Sequence, residues 1–180
     1  MDNKTNNLVK SGLFLAIAVI FQVIGKALAI PQFSQLVVGT VVNAVIILAV
    51  LICGTWWGTA IGALTPFTAW LIGQLKPVML PFIPFIMAGN IIYALIFGLL
   101  MNKGKAYKYV GYGLGAFAKY IFLYFTASKF LHFLVKVPEK ALKVLIASMG
   151  IPQFITALIG GALAITIAAM LEKRYNKNMD

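Results

Sequence analysis

The sequence predicts an all-α membrane protein, a six-transmembrane-helix bundle with both termini in the cytoplasm. Of its 180 residues, 62% are hydrophobic and 11% are charged, and the mean hydropathy is +0.95. Soluble domains, by contrast, are about half apolar and about a quarter charged. The apolar residues form six long runs, and turn residues or basic residues separate one run from the next. This pattern is typical of a chain that crosses a bilayer several times.

Each run is long enough for a helix to cross the bilayer, which takes about 20 residues. Pro31 ends the first run and Gly54 ends the second, because neither residue favours the interior of a helix. Three prolines in KPVMLPFIP predict an irregular loop before the fourth run. The runs leave no room for a further domain, so residues 1–180 predict a single membrane domain. The predicted spans cover about 8–30, 36–53, 55–75, 81–101, 110–134 and 152–171.

A further helical pattern lies between the fifth and sixth runs. In KVPEKALKVLIASMG, residues 136–150, charged and apolar residues alternate with the spacing of an amphipathic helix. Such a helix would either lie along the membrane surface or cap the end of the bundle.

Basic residues predict the orientation of the bundle, because cytoplasmic loops keep an excess of Lys and Arg. With six spans, both termini lie on one side, together with the basic loop NKGKAYK. The basic residues on that side are Lys4, Lys10, Lys103, Lys105, Lys108, Lys173, Arg174 and Lys177, against Lys76, Lys136, Lys140 and Lys143 on the other. We therefore expect a multi-pass protein of the cell membrane. These loops explain the net charge of +11, which requires no nucleic-acid partner.

Lys119 and Asn90 are predicted to lie near the middle of the membrane. At a rise of about 1.5 Å per residue, Lys119 is roughly 14 Å into the fifth span, and Asn90 is at about the same depth in the fourth. A lysine at that depth costs about 2.5 to 3.5 kcal/mol on insertion scales, so it normally faces the bundle interior or a wet cavity. Either Lys119 snorkels and Asn90 ties two helices together, or both residues face a ligand.

The remaining polar residues of the spans favour a ligand cavity. They lie mostly in the outer halves of the spans, whereas the inner halves contain chiefly Ala, Gly, Leu, Ile and Val. No predicted span contains a carboxylate that could pair with Lys119. A cavity with Lys119 and Asn90 at its floor would select a small, partly aromatic ligand that is anionic, or neutral with strong acceptors. The side chains predicted to surround that ligand are Tyr93, Tyr124, Trp70 and Gln153.

Catalysis and metal binding find no support in the sequence. Without Asp or Glu in the spans there are no paired carboxylates, no carboxylate proton relay and no cage for a hard metal ion. The single histidine, His132, has Ser128 one turn away on the same predicted helix, which is a poor geometry for nucleophilic attack. We therefore predict no catalytic residue, no metal site and no cofactor. The sequence also contains no nucleotide-binding loop, so uphill transport would need energy from a partner.

Several stretches of the sequence carry a family resemblance. They are SGLFLAIAV in the first span, CGTWWGTAIGALTPFTAWLIGQL in the third, PFIPFIMAGNIIYALIFGLL in the fourth and LGAFAKYIFLYF in the fifth. Together with six short spans over residues 8–171, they resemble the substrate-capture S component of energy-coupling factor (ECF) vitamin transporters. The resemblance implies that the chain binds a vitamin or vitamin precursor in an outward-facing pocket. It also implies a transmembrane coupling subunit and two cytoplasmic ATPases as partners, which use the ATP.

Two small residues of the first span, Gly12 and Ala16, lie one turn apart on one helix face. Small residues at this spacing let another helix approach closely. By the resemblance, that helix belongs to the coupling subunit, and the alternative is packing within the bundle. Two alternative functions also remain, a self-contained small-molecule carrier or channel and, less favoured, an intramembrane enzyme. A channel is disfavoured because no polar stripe continues through the inner halves of the spans.

Overall fold

Most of the residues that the structure describes are helical. The structure is a computed structural model that describes residues 3–28, 31–75, 77–130 and 139–177, and no strand occurs in these ranges. The all-α prediction is therefore confirmed. The elements are α1 (Asn3–Ala27), α2 (Pro31–Cys53), α3 (Thr55–Ile72), a 3-10 helix (Pro77–Phe82), α4 (Ile83–Met101), α5 (Lys105–Phe125), a π-helical turn (Thr126–Phe130), α6 (Glu139–Met149) and α7 (Ile151–Lys177).

Four helical segments of the described chain are long and apolar enough to cross a membrane. Helices α3 and α5 are not among them, because Thr, Trp, Gly, Tyr or Lys residues interrupt their apolar character. The count of six spans and the cytoplasmic termini therefore stay predictions. The four segments are Asn3–Ala27, Ser34–Cys53, Met79–Met101 and Leu142–Lys177.

Helix α2 is the centre of the bundle. It packs against α1, α3, α4 and α7, and every residue from Ala44 to Val50 is buried. A helix that is apolar on all sides is typical of apolar surroundings, and neighbouring helices provide them for this stretch. The other long helices follow one another around α2 in the order α1, α3, α4, α5 and α7.

Glycine allows α7 to lie directly against α2. A Cβ atom at Gly160 would stand 2.5 Å from the Thr40 carbonyl oxygen and 2.8 Å from the Ala44 backbone nitrogen. Real side chains do not approach a backbone so closely, so a larger residue at this position would push the two helices apart. This contact places the first half of α2 beside α7.

Helices α1 to α5 each run antiparallel to the next, so the bundle has two distinct ends. At one end the Asn7 side chain of α1 donates a hydrogen bond to the Cys53 carbonyl of α2, at 3.2 Å. At the other end the Ser34 hydroxyl of α2 donates to the Gly25 carbonyl of α1, at 2.7 Å. We call the first the termini end, since α1 begins and α7 ends there. We call the second the cavity end, because a cavity between the helices opens there.

Helix α6 lies against the cavity end of the bundle. Its apolar residues Leu142, Leu145 and Met149 are buried in a cluster with Phe82 of the 3-10 helix and Leu123 of α5. Of the two alternatives for the segment 136–150, this packing agrees with the cap. The segment KPVMLPFIP also differs from the predicted irregular loop, because residues 77–82 of it form the 3-10 helix.

One face of α1 is exposed along much of its length. The buried residues Ser11, Ala18, Gln22 and Gly25 follow a single stripe that faces the bundle. Gly12 and Ala16 lie outside that stripe and are exposed, and a Cβ atom at Gly12 would meet nothing within 4 Å. These two residues therefore take no part in close packing among the described helices.

Candidate ligand-binding site

A cavity of about 730 Å³ opens at the cavity end of the bundle. This volume lies within the range of sites that hold drug-sized molecules, about 300 to 1,000 Å³. Side chains from all seven α-helices and from the 3-10 helix line it, with α6 along one side. Lys119 of α5, Asn43 of α2 and Asn90 of α4 are among the lining residues.

Lys119 is held inside the bundle by an amide side chain. Its Nζ donates a hydrogen bond to Oδ1 of Asn43 at 2.7 Å, and only 2% of the residue is exposed. The same nitrogen lies 5.8 Å from the centroid of the Tyr93 ring, within the range of cation–π attraction. A strong acceptor and an electron-rich ring thus offset part of the cost of removing the amine from water.

The orientation of Asn43 is fixed by its other contacts. Its Nδ2 donates to the Gly39 carbonyl at 2.8 Å and lies 3.3 Å from Oγ1 of Thr156 on α7. Because a backbone carbonyl can only accept, the amide nitrogen must face Gly39, and the amide oxygen must then face Lys119. Helices α2, α5 and α7 are joined through this one side chain.

Asn90 replaces a hydrogen bond that a proline removes. Pro66 lies inside α3 and has no N–H, so the carbonyl of Gly62, four residues earlier, lacks its helical partner. Asn90 Nδ2 donates to that carbonyl at 3.0 Å and lies 3.4 Å from Oγ1 of Thr65. The side chain ties α4 to α3, which is the structural role that the sequence left open for it.

The amide oxygen of Asn90 is still without a partner. It is buried and accepts no hydrogen bond from the residues that the structure describes. An unpaired buried carbonyl-type oxygen costs about 1 to 3 kcal/mol, so such groups are normally satisfied by protein, water or a ligand. Asn90 is also one of the residues that line the cavity.

Further polar side chains follow the cavity from its wall to its mouth. Gln22 of α1 donates to the Thr65 carbonyl at 2.9 Å and accepts from the Thr68 hydroxyl at 2.9 Å. Lys26, one turn later, donates to the Ile72 carbonyl at 2.8 Å, where α3 ends and its last carbonyls lack helical partners. Among the described lining residues the charged ones are Lys26 and Lys119, and none is Asp or Glu.

Only some of the predicted site residues reach the cavity. Asn90, Lys119 and Gln153 line it. Tyr93 lies behind Lys119, where its hydroxyl donates to the Ala157 carbonyl at 2.8 Å. Trp70 and Tyr124 are partly exposed on the outer surface and pack against neighbours on their own helices, and neither is among the described lining residues.

Comparison with known protein families agrees with this architecture. Residues 6–172 match the family model of the substrate-specific component of ECF transporters. The chain belongs to this family. No match to this chain was found among curated proteins or among solved structures. The family resemblance in the sequence is therefore confirmed, and this S component is a subunit of a transporter.

Asn43 and Gln22 of the S component were missed as site residues by the sequence reasoning. Asn43 stands near the middle of an otherwise apolar second span, so the depth estimate used for Asn90 and Lys119 would have placed it at their level. What the sequence lacks is the pairing itself, because Lys119 and Asn43 are 76 residues apart. In the described part of the S component, no group of three or more His, Cys, Asp or Glu could hold a metal ion. His132 lies outside the described residues.

The bond between Lys119 and Asn43 predicts an energetic coupling between the two residues. We expect Asn43→Leu to lower the free energy of unfolding of the S component by about 1 to 3 kcal/mol, because a buried amine loses its acceptor. The double variant Asn43→Leu/Lys119→Met should lose less than the two single changes together, with a coupling of about 0.5 to 3 kcal/mol. The free energy of unfolding of the wild-type protein, the two single variants and the double variant is measured in detergent micelles.

Asn7 provides the matched control for this cycle. Like Asn43, it donates a hydrogen bond to a backbone carbonyl, but it lies at the termini end, away from Lys119. Asn7→Leu and Lys119→Met should therefore be additive. If the Asn43 cycle is also additive, the bond to Lys119 does not stabilise the bundle.

Proposed function

We propose that this S component captures a small vitamin or vitamin precursor in the cavity and passes it to an ATP-driven coupling complex. The ligand is anionic, or neutral with strong hydrogen-bond acceptors. The observation that carries the proposal is the Lys119–Asn43 pair at the floor of a cavity whose described lining contains no carboxylate. A buried ammonium group that donates to one neutral acceptor still has two N–H groups to offer.

The chemistry of the lining supports this choice of ligand. A carboxylate or ring carbonyl that approaches Lys119 gains a charge-assisted hydrogen bond, whereas a cationic ligand would meet an uncompensated like charge. Beside it, the free oxygen of Asn90 accepts from a hydroxyl, an amide or a ring N–H of the ligand. Lys26 adds a second positive charge at the mouth, which favours entry of an anion.

Recognition in this cavity depends on hydrogen bonds and aliphatic contacts. The described lining combines amide and hydroxyl groups with apolar residues such as Val38, Val42, Met79 and Ile86, and contains no Phe, Tyr or Trp. The stacking side chains that the sequence predicts, Trp70 among them, are not in that lining. We therefore propose a ligand that is rich in polar groups, with or without an aromatic ring.

The transfer step requires partners. The sequence contains no nucleotide-binding loop, so we propose that a transmembrane coupling subunit and two cytoplasmic ATPases supply the energy. Gly12 and Ala16 are the proposed contact with the coupling subunit, since both are exposed and small on the outer face of α1. The proposed location is the cell membrane, with several helices in the lipid bilayer.

Lys119→Met should weaken ligand binding by roughly 30-fold or more. Removing one partner of a buried, charged hydrogen bond typically costs about 2 to 5 kcal/mol, which corresponds to at least that factor. The probe is the small molecule extracted from purified wild-type protein and identified by mass spectrometry. Its affinity for each variant is measured by calorimetry in detergent, in the absence of ATP and of partner subunits.

Lys129→Met is the matched control for this measurement. Lys129 follows on from α5 in the π-helical turn, but it is exposed and does not line the cavity. Its replacement should leave the affinity unchanged. Wild-type affinity in a folded Lys119→Met protein would limit Lys119 to a structural role and remove the main support for the proposed ligand class.

Gly12→Leu and Ala16→Leu should abolish uptake and co-purification of the complex while ligand binding is retained. A Cβ atom at Gly12 meets no neighbour, so the larger side chain disturbs only a surface that a partner would cover. Uptake is measured in cells that express the complete transporter, and binding is measured on the purified chain. The chain alone should bind the ligand without transporting it.

Gly113→Leu is the control for this pair, because a Cβ atom at Gly113 on α5 also meets no neighbour within 4 Å. It should leave the complex intact. If the α1 variants assemble and transport normally, the coupling surface lies elsewhere. Uptake by the chain without partners would identify it as a self-contained carrier instead.

A further inference from the structure

A second concavity lies far from the ligand cavity, between α5 and α7 at the termini end of the bundle. It is a groove of about 420 Å³. Tyr112 closes it towards the bundle centre, where its ring packs against Gly161 of α7. From there the groove follows α7 to Lys173, which is about 16 Å of helix. None of the residues that line it also lines the ligand cavity.

The chemistry of the groove changes along its length. Its inner part is lined by Ala162, Ile165 and Ala169, which offer apolar contacts, and by Thr166, whose hydroxyl donates to the Ala162 carbonyl within α7. Its outer part ends at the Tyr109 ring and the Lys173 ammonium, both exposed. A phospholipid shows the same change along its length, because its apolar acyl chain extends into the bilayer and its charged glycerol phosphate lies at the membrane surface. Tyr and Lys are also the residues that favour the level of the headgroups.

The surroundings of the outer part are positively charged. Lys108 precedes Tyr109 on α5, and Arg174 and Lys177 follow Lys173 on the last turn of α7. Against these, Glu172, directly before Lys173, is the one acidic residue of α7. Basic pockets between transmembrane helices attract anionic headgroups, and each nearby Lys or Arg strengthens the attraction.

We propose that this groove binds an anionic phospholipid, with one acyl chain against α7 and its phosphate beside Lys173 and Tyr109. The apolar lining and the basic end of the groove agree with the two parts of such a lipid. The site is independent of the ligand cavity, and it would anchor the end of α7 in the leaflet that faces the termini.

Native mass spectrometry of the full chain tests this site. The protein is placed in nanodiscs that contain equal amounts of phosphatidylglycerol and phosphatidylcholine with identical acyl chains, and the lipids retained after release are counted. We expect wild-type protein to retain phosphatidylglycerol preferentially. Lys173→Gln should reduce that preference about 5-fold, the effect of one basic residue beside an anionic headgroup. Ala169→Phe fills the groove and should reduce the retention of both lipids.

Two control variants separate a defined site from general attraction. Lys177→Gln removes the same charge from the same helix but lies outside the groove, and Leu163→Phe enlarges an exposed residue outside it. Lys177→Gln should reduce the preference for phosphatidylglycerol clearly less than Lys173→Gln does, and Leu163→Phe should behave as wild type. Equal loss of preference in Lys177→Gln, or no preference in wild-type protein, would overturn the proposal.

Two further results would also contradict a lipid site. Excess sn-glycerol 3-phosphate, which has the charge of the headgroup but no acyl chain, should displace no lipid. Displacement would indicate a site for free anions. If Lys173→Gln and Ala169→Phe retain lipids normally but no longer co-purify with a coupling complex, the groove is a protein interface instead.

Discussion

The buried amine of Lys119 is the constraint on which the arrangement of the bundle depends. A lysine in the interior of an apolar bundle requires an acceptor at hydrogen-bond distance, and Asn43 supplies it at 2.7 Å. Asn43 can do so only because Gly39 and Thr156 hold its amide nitrogen. That contact in turn needs α7 close to α2, which glycine on α7 permits. The polar floor of the cavity and the packing of the apolar core are therefore parts of one arrangement.

The same cavity combines groups that stabilise the fold with groups that are free to bind. Asn90 uses its nitrogen to replace the hydrogen bond that Pro66 removes from α3, and its oxygen remains unpaired. Lys119 uses one N–H for Asn43 and has others to offer. A site built in this way is largely formed before the ligand arrives, so little binding energy is lost in ordering side chains. Preorganisation of this kind agrees with the proposed capture of a ligand by the S component.

The sequence predicted the helices well because long apolar runs can only be helical in lipid. The position of Lys119 in the interior also followed from the cost of burying an amine. Its partner did not, since one sequence does not show that α2 and α5 meet, and Asn43 is the one amide in a long apolar stretch. The depth of a residue along a helix likewise does not determine whether its side chain faces the cavity or the outside of the bundle. Trp70 and Tyr124 were placed at the right level for the cavity, yet both are partly exposed on the outside of the bundle.

Identification of the small molecule that co-purifies with the wild-type chain tests the central claim most directly. The chain is purified from membranes without partner subunits and without ATP, and its native mass spectrum is compared before and after release of bound compounds. We expect one retained compound that is a carboxylate, a phosphate or a neutral molecule with strong acceptors, because Lys119 and Asn90 line the proposed binding cavity. A retained compound that is an amine or another cation would contradict this account.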